Sequence, residues 1–349
     1  MKKTLLVAAL ALTAGTSMAA QLPGVAILAT GGTIAGTAAS ATQTTGYKAG
    51  EVAIQTLIDA VPAIKDVANV TGEQVVKISS NNITDDVLLH LAKRCNELLK
   101  DPKINGIVIT HGTDTLEETA YFLNLTVKSK KPVVLVGSMR PSTAISADGP
   151  MNLLNAVRLA ADPQAVGQGV LVSLNDRISA ARDVTKTDTT HVDTFSSHYL
   201  GHLGVTAGGQ NYFYRSVAKA HTYQSQFDVS KLKSLPRVDI VYSHANVDDV
   251  MVKAAMAAGA KGIVHAGSGN GSVHKDTLPA LKEASKKGTV VVLSSRTGSG
   301  VVAPNWGEYH EAGFVEGKFL NPQKARILLQ LALTQTTDPK KITEIFNKY

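Results

Sequence analysis

The chain has 349 residues, with 35 basic and 28 acidic side chains, and only 5% of its residues are aromatic. The lysines lie in scattered pairs and few aromatic side chains could stack on bases, so we exclude a nucleic-acid-binding protein. Cys95 is the only cysteine, which excludes an intrachain disulfide.

The first 20 residues have the three regions of a secretory signal peptide. Lys2 and Lys3 give a basic start, residues 5–12 an apolar run, and Ser17-Met18-Ala19 a small-x-small cleavage site. We therefore predict that residues 1–20 are removed on export. No later stretch reaches the roughly 18 uninterrupted apolar residues that a membrane helix needs, so we expect a soluble mature chain without membrane contact.

The next part of the chain, residues 21–210, predicts a larger N-terminal domain. Short apolar runs that predict buried strands alternate with segments of helical periodicity. The strands are expected at 25–29, 106–110, 133–137 and 170–174, and the helices near 51–61, 85–100, 116–127 and 149–161. This alternation indicates an α/β fold with an open, largely parallel sheet and helices on both faces.

Residues 21–210 also contain a predicted loop and the single cysteine. Residues 36–50 are rich in Thr, Ala and Gly and have no period, so we predict a mobile loop that could act as a lid. Cys95 shares the helical spacing of its apolar neighbours in residues 85–100, so we predict a small buried hydrophobe rather than a reactive thiol.

A polar stretch without sustained period, residues 211–235, is predicted to be a linker to a smaller C-terminal domain, residues 236–349. The same alternation of strands and helices recurs there, so we predict a second open parallel sheet. Its strands are expected at 238–242, 262–265 and 290–293, and its helices near 248–258, 275–286 and 321–334.

Two similar motifs stand at the carboxyl ends of predicted strands, where open parallel sheets bind their ligands. Ala-Thr-Gly-Gly-Thr-Ile-Ala ends at Ala35, and Thr-His-Gly-Thr-Asp-Thr ends at Thr115. Each places a threonine, Thr33 or Thr113, just after a glycine turn. The glycines let the backbone approach a ligand closely and leave N–H groups free for a developing oxyanion.

A threonine hydroxyl is a poor nucleophile unless a neighbouring group removes its proton. Asp114 supplies a carboxylate beside Thr113, and Lys186 could be its cationic partner, since a lysine in a dry, partly compensated site can act as a base. The alternative interpretation is structural. Thr115 and Glu118 have the spacing of a capping box, so part of the second motif could simply begin a helix.

Other motifs give weaker evidence for a functional site. Gly298-Ser299-Gly300 formally begins a dinucleotide fingerprint, but Pro304 follows and no helix is predicted to open there. Three histidines lie near one another in sequence without a cysteine or paired carboxylate, so we predict no metal site; they are His191, His198 and His202.

Compared as amino-acid sequences, the two threonine motifs resemble the signatures of bacterial L-asparaginases. Further stretches resemble the periplasmic type II branch of that family, and they follow in order along the whole mature chain. They are Gly-Ser-Met-Arg-Pro-Ser at 137–142, Ala-Asp-Gly-Pro at 147–150, Arg-Asp-Val-Thr-Lys at 182–186 and Leu-Asn-Pro-Gln-Lys-Ala-Arg at 320–326.

The resemblance implies a threonine amidohydrolase that releases ammonia from L-asparagine, in the periplasm, without a metal or organic cofactor. It assigns Thr33 as the nucleophile and Tyr47, on the predicted lid, as the residue that assists it. Thr113, Asp114 and Lys186 would form a second catalytic group, in which Asp114 also holds the α-amino group of the substrate.

The resemblance also implies substrate-binding residues and a homotetramer, a dimer of dimers with shared active sites. Ser80 and Asn81 correspond to the pair that binds the α-carboxylate and amino group. Asn270 and an acidic residue, for which we choose Glu308, would complete the site from the smaller domain, the acid coming from a neighbouring subunit. The loop around Glu308 aligns poorly, and some relatives have glutamine where Asn81 stands.

Two alternative functions remain open, and a third conflicts with the predicted signal peptide. A glutaminase-asparaginase of broad specificity would have the same motifs. A periplasmic amino-acid-binding protein would have the same two-domain organisation, but it would need no nucleophile. An amidotransferase subunit acting on charged transfer RNA is contradicted by the predicted signal peptide.

Overall fold

The computed structural model describes residues 21–304 and 306–349. The predicted signal peptide, residues 1–20, lies outside the described residues. Within the described ranges, no helix is long and apolar enough to cross a membrane.

The strands of the N-terminal part of the described chain are β1 (Gly24–Gly31), β2 (Asn69–Ile78), β3 (Ile104–Thr110), β4 (Val133–Val136), β5 (Val170–Leu174), β6 (Arg177–Ala180), β7 (Thr185–Lys186), β8 (Phe195–Ser196), β9 (Gly204–Ala207) and β10 (Gln210–Phe213). A large sheet has the strand order β10-β9-β6-β5-β4-β3-β1-β2. Strands β2, β1, β3, β4 and β5 are parallel, and β6, β9 and β10 are antiparallel.

Helices cover both faces of the large sheet, as the alternating pattern predicted. They are α1 (Ile54–Asp59), α2 (Asp85–Leu98), α3 (Leu116–Thr126) and α4 (Gly149–Ala161). Val25 and Ile27 of β1 pack with α1 and α4, whereas Ala26 and Leu28 pack with α2 and α3. The continuous apolar run of β1 therefore arises because side chains alternate between two buried faces.

The strands of the C-terminal part are β11 (Val238–Tyr242), β12 (Gly262–Gly267), β13 (Val290–Ser295) and β14 (Val315–Glu316). They form a smaller, all-parallel sheet in the order β11-β12-β13-β14. Its helices are α5 (Val250–Ala257), α6 (Leu278–Lys286), α7 (Gly307–Glu311), α8 (Pro322–Leu333) and α9 (Pro339–Lys348). The predicted two-domain α/β class, with a larger N-terminal and a smaller C-terminal sheet, is confirmed.

The N-terminal and C-terminal parts share one apolar core; they are not joined only by a connecting segment. Helix α8 packs against α3, and buried residues of both helices and of β12 belong to one hydrophobic cluster. The segment predicted as a linker, residues 211–235, takes part in this packing. Strand β10 continues to Phe213, and Phe227 and Val229 are buried in the shared core.

Cys95 is buried in α2, as its helical spacing predicted. Burial raises the pKa of its thiol to about 12, because removal from water disfavours the thiolate. The side chain is therefore a packing residue.

Candidate active site

The two threonine motifs touch at the carboxyl ends of neighbouring strands. Strand β1 pairs with β3, so the turns that follow them lie side by side. A β-carbon built on Gly32 would stand 2.3 Å from both the nitrogen and the α-carbon of Gly112. Only two glycines allow such an approach, and Gly32 also has a positive φ of 81° that disfavours other residues.

Thr33 follows this turn and is buried in a short 3₁₀ helix, Thr33–Ala35. Its hydroxyl oxygen lies 2.7 Å from the phenolic oxygen of Tyr47, and the two groups share a hydrogen bond. Burial raises the pKa of Tyr47, although the bond to Thr33 acts in the opposite direction. The phenol is therefore protonated at neutral pH and can relay a proton more readily than it can act as a phenolate base.

Tyr47 belongs to the segment predicted as a lid, and this segment returns to the glycine turn. Thr37 and Lys48 form an isolated antiparallel bridge, and the N–H of Gly50 donates to the carbonyl of Gly32 at 2.9 Å. The segment is thus a loop whose two ends are both fixed at the first motif. Its predicted mobility stays a prediction.

The second group consists of Thr113, Asp114 and Lys186. The Nζ of Lys186 donates to the hydroxyl of Thr113 at 3.0 Å and to Oδ1 of Asp114 at 2.7 Å. Thr113 is buried, and the side chain of Lys186 is 17% exposed, whereas that of Asp114 is 60% exposed. Lys186 therefore joins a buried hydroxyl to a carboxylate that faces solvent and is accessible to a ligand.

Both groups open into one cavity of about 730 Å³ at the carboxyl ends of the parallel strands. This is the edge at which open parallel sheets bind ligands. The residues that line the cavity are Thr33, Thr44, Thr45, Gly46, Tyr47, Ala49, Ser79, Thr113, Asp114, Met139, Arg140, Lys186, Thr189, Thr190, His191, Val192 and Asp193. The structure therefore brings together Thr33, Tyr47, Thr113, Asp114 and Lys186.

Ser80 stabilises the second motif through two hydrogen bonds. Its hydroxyl oxygen accepts a hydrogen bond from the N–H of Asp114 at 3.2 Å, and its carbonyl accepts one from the hydroxyl of Thr115 at 2.8 Å. Ser80 is buried, and its neighbour Ser79 lines the cavity. Asn81 is exposed, and its side-chain amide donates to Asn82.

The second motif does begin a helix directly after Thr115, as its spacing predicted, but the predicted capping box with Glu118 does not form. Thr115 is the residue before α3, but its side chain makes no capping bond and donates instead to the carbonyl of Ser80. The end of β2 brings Ser80 close enough to take this hydrogen bond. The hydroxyl therefore fixes two loops of the candidate site to each other.

His111 holds the second motif from within the core. Its Nδ1 lies 2.7 Å from the carbonyl oxygen of Gly112, and its Nε2 lies 2.9 Å from the hydroxyl of Thr119. A carbonyl only accepts, so Nδ1 carries the proton and Nε2 accepts from Thr119. Complete burial lowers the pKa of His111 to about 4, which keeps the ring neutral.

Asn270 and Glu308 do not line this cavity within the chain. The side chain of Asn270 pairs with the backbone of Ala303, accepting from its N–H at 2.9 Å and donating to its carbonyl at 3.2 Å. Glu308 lies in α7 and forms an exposed ion pair with Lys282 at 2.9 Å. Both belong to the smaller C-terminal part.

Two sets of cavity residues were missed by the sequence analysis. Arg140 stands in a quoted motif, and its main-chain N–H is held by Asp148 at 3.0 Å. Residues 189–193 follow Lys186, and Asp188 accepts from the main-chain N–H groups of Thr190 and His191. Asp188 followed closely by two threonines is typical of such a polar turn, so this signal was available.

Within residues 21–304 and 306–349, no group of three or more His, Cys, Asp or Glu side chains could hold a metal ion. The histidines at 191, 198 and 202 are included in those ranges. The polar side chains that line the cavity carry hydroxyl, carboxylate, amine, guanidinium and imidazole groups.

Comparison with known proteins gives the same family from both halves of the chain. The family described as "Asparaginase, N-terminal" matches residues 24–219, and "Glutaminase/Asparaginase C-terminal domain" matches residues 237–346. The chain belongs to the asparaginase family, and it is similar to members of it that are named for hydrolysis of asparagine.

Among similar proteins, L-asparaginase 2 of Bacillus subtilis (strain 168) is 57% identical, over 96% of this chain and 89% of that one. The "Probable L-asparaginase periplasmic" of Haemophilus influenzae is 52% identical, over 95% and 94%. The glutaminase-asparaginase of Pseudomonas fluorescens is 49% identical, over 94% and 91%. A crystal structure of a probable cytoplasmic L-asparaginase from Campylobacter jejuni superimposes with a TM-score of 0.92 at 55% identity, covering 94% of this chain and 100% of that one.

Proposed function

We propose that this chain hydrolyses the side-chain amide of L-asparagine to L-aspartate and ammonia, with Thr33 as the nucleophile. The observation that carries the proposal is the convergence of two threonine hydroxyls on one cavity. Each hydroxyl has a partner that can move a proton, Tyr47 for Thr33 and Lys186 for Thr113. A binding protein without turnover would need neither pair.

In the first half of the reaction, the Thr33 hydroxyl oxygen attacks the amide carbon, and a bond from that oxygen to carbon forms. The proton of Thr33 passes to the Tyr47 oxygen while the phenolic proton moves to the departing nitrogen. The carbon–nitrogen bond then breaks and ammonia leaves. The raised pKa of Tyr47 suits such a relay, because the phenol begins and ends protonated.

In the second half, a water molecule attacks the ester carbon and the bond to Thr33 breaks. Thr113 accepts the proton of the water and passes its own proton to Lys186, which acts as the base of this step. Asp114, 2.7 Å from Nζ, stabilises the ammonium that results. The proton returns from Lys186 through Thr113 to the Thr33 oxygen as its bond to carbon breaks, so Thr33 regains its hydroxyl and the acid product leaves.

Recognition of the amino-acid end is proposed for Asp114, Ser80 and Asn81. The exposed carboxylate of Asp114 would attract an α-ammonium group. Ser80 accepts from the main chain, so its own hydroxyl proton remains available for an α-carboxylate. Asn81 lies on the same turn, Ser80–Asn82. Simple amides, which have neither charge, should react poorly.

Activity on L-glutamine is the second candidate, and the relative named glutaminase-asparaginase supports it. The experiment is ammonia release by the purified protein from L-asparagine, L-glutamine and an amide without an α-amino group. Turnover of L-asparagine well above that of the simple amide is expected. No ammonia from either amino acid would contradict the proposal.

A shared site in a homotetramer is proposed for Asn270 and Glu308. Neither residue lines the cavity in its own chain, yet a two-fold interface would present each to a partner's cavity reciprocally. Co-refolding Thr33→Ala with Glu308→Ala chains should restore part of the activity, since a mixed pair holds one site with both residues. A fully active monomer at low concentration would refute sharing.

Export to the periplasm is proposed from the signal-like first 20 residues, and the relative named periplasmic supports it. The similar structure named cytoplasmic marks the alternative. Fractionation of cells that express the full chain, with N-terminal sequencing of the product, distinguishes them. A product that keeps Met1 in the cytoplasmic fraction would contradict export.

A further inference from the structure

Lys186 lies in a segment that belongs to neither the large N-terminal sheet nor the smaller C-terminal sheet. In the described part of the chain, its strand β7 has two residues and pairs with β8, another two-residue strand. Such a short ladder constrains a backbone weakly. The position of the Lys186 ammonium must therefore depend on other contacts to residues 182–186.

Lys324 of α8 supplies the most buried of these contacts. Its side chain is 1% exposed, and its Nζ donates to the carbonyl of Arg182 at 2.9 Å and also to the carbonyl of Val184. These carbonyls lie four and two residues before Lys186. A buried ammonium is costly unless hydrogen-bonded, so the two carbonyls and the side chain hold each other in place.

Burial lowers the pKa of Lys324 to about 8, and the nearby carboxylate of Glu117 acts in the opposite direction. The carboxylate is also buried, and Gln323 of α8 donates to its Oε1 at 2.6 Å. The start of α8 thus contacts the large domain through charged and polar groups at the same place.

Two further contacts connect the C-terminal part with the same segment. The amide of Asn321, the residue that caps α8, donates to the hydroxyl of Thr185 at 3.3 Å. The guanidinium of Arg182 donates to the main-chain carbonyl of Tyr349. The segment before Lys186 is therefore held from the smaller domain of its own chain at Arg182, Val184 and Thr185.

We propose that Lys324 is a positioning residue that acts through Lys186. By binding the carbonyls of Arg182 and Val184, it sets the distance from the Lys186 ammonium to Thr113 and Asp114. The inference rests on the proposed function, in which Lys186 moves a proton in the second half of the reaction. The smaller domain would then serve the site of its own chain as well as that of a partner.

The test compares Lys324→Met, which keeps the length of the side chain without its charge, with Lys324→Arg and with a control, Lys286→Met, at an exposed site on α6. Amide hydrogen exchange over residues 181–187 should rise in Lys324→Met while exchange over β3 stays unchanged. The kcat for L-asparagine should fall by about 100-fold, the cost of moving a reacting group by about 1 Å, with a smaller change in KM. Lys324→Arg should recover much of both, and the control should match the unmodified protein.

A selective rise in exchange with unchanged kcat would overturn the positioning role, and so would a rise spread evenly over the whole chain. If Lys324→Met does not fold, Lys324→Gln decides, because it keeps a polar donor but removes the charge and shortens the reach to the two carbonyls. Loss of one hydrogen bond predicts a rise in local exchange of roughly 2- to 10-fold, with a fall in kcat. No change in either would also refute the proposal.

The exchange measurement separates this proposal from the proposed function. A protein that released no ammonia from any amide would refute the function, but exchange over residues 181–187 would still report whether Lys324 holds the segment.

Discussion

Replacement of Gly32 by alanine tests whether direct contact between the two threonine motifs is required. Gly32 has φ 81° and ψ −169°, a conformation that is essentially restricted to glycine. An alanine held there costs of the order of 1–3 kcal/mol of folding free energy. This part of the effect concerns stability and would arise at any glycine with a comparable backbone.

The second part of the effect is specific to the site. The new β-carbon would lie 2.3 Å from Gly112, and ordinary contact begins at 3.4 Å, so the turns must separate by about 1.1 Å. Thr33 and Thr113 directly follow these two glycines and would move apart with them. A displacement of this size predicts a loss of kcat/KM of about 100-fold.

Gly167→Ala is the matched control, because Gly167 has φ 79° and no described atom lies within 4 Å of the position of its β-carbon. It should lower stability by roughly 1–2 kcal/mol and leave kcat/KM nearly unchanged. The assays are thermal unfolding and ammonia release, both on purified protein. If Gly32→Ala lost no more activity than Gly167→Ala, the close contact of the motifs would be irrelevant to turnover.

The remaining predictions concern two buried titratable side chains. Alkylating reagents should leave activity and native Cys95 unchanged, since burial raises the pKa of the thiol, and should label it only after denaturation; rapid native inactivation would contradict this. Burial lowers the pKa of His265 to about 4, so between pH 6.5 and 4 the unfolded chain binds the proton and stability falls as pH falls. His265→Leu should therefore lose less of its Tm between pH 7 and pH 4.5 than the unmodified protein, and an unchanged pH dependence would rule His265 out.

The regular part of the fold was predictable because its signals are local. The run at β5, residues 170–174, and the helix Gly149–Ala161 have the bounds that their apolar patterns predicted. Strand β2 was missed, because its ten residues lie mostly at intermediate or exposed positions and mix polar with apolar side chains. Helix α9 was also missed, although Ile342, Ile345 and Phe346 form a buried face.

Site residues were predictable where a sequence motif contains the reactive side chains. They were not predictable where contacts between distant segments place the side chain. The motifs and the family resemblance predicted Thr33, Thr113 and Asp114, which line one cavity. The hydrogen bond from Thr115 to Ser80 joins residues 35 positions apart, and a capping rule considers only neighbours along a helix. The burial of Lys324 likewise depends on contact between the two domains, which no local pattern reports.

Turnover by Thr33→Ala tests the assignment of the nucleophile, with Thr33→Ser as the control that keeps a hydroxyl beside Tyr47. Both variants should fold, which thermal unfolding checks. Ammonia release from L-asparagine should fall by several orders of magnitude in Thr33→Ala, because the oxygen that attacks the amide carbon is removed. Thr33→Ser should retain measurable turnover and give a covalent aspartyl adduct on the peptide that contains residue 33 after rapid acid quench. Near-normal ammonia release from folded Thr33→Ala would show that Thr33 is not the nucleophile.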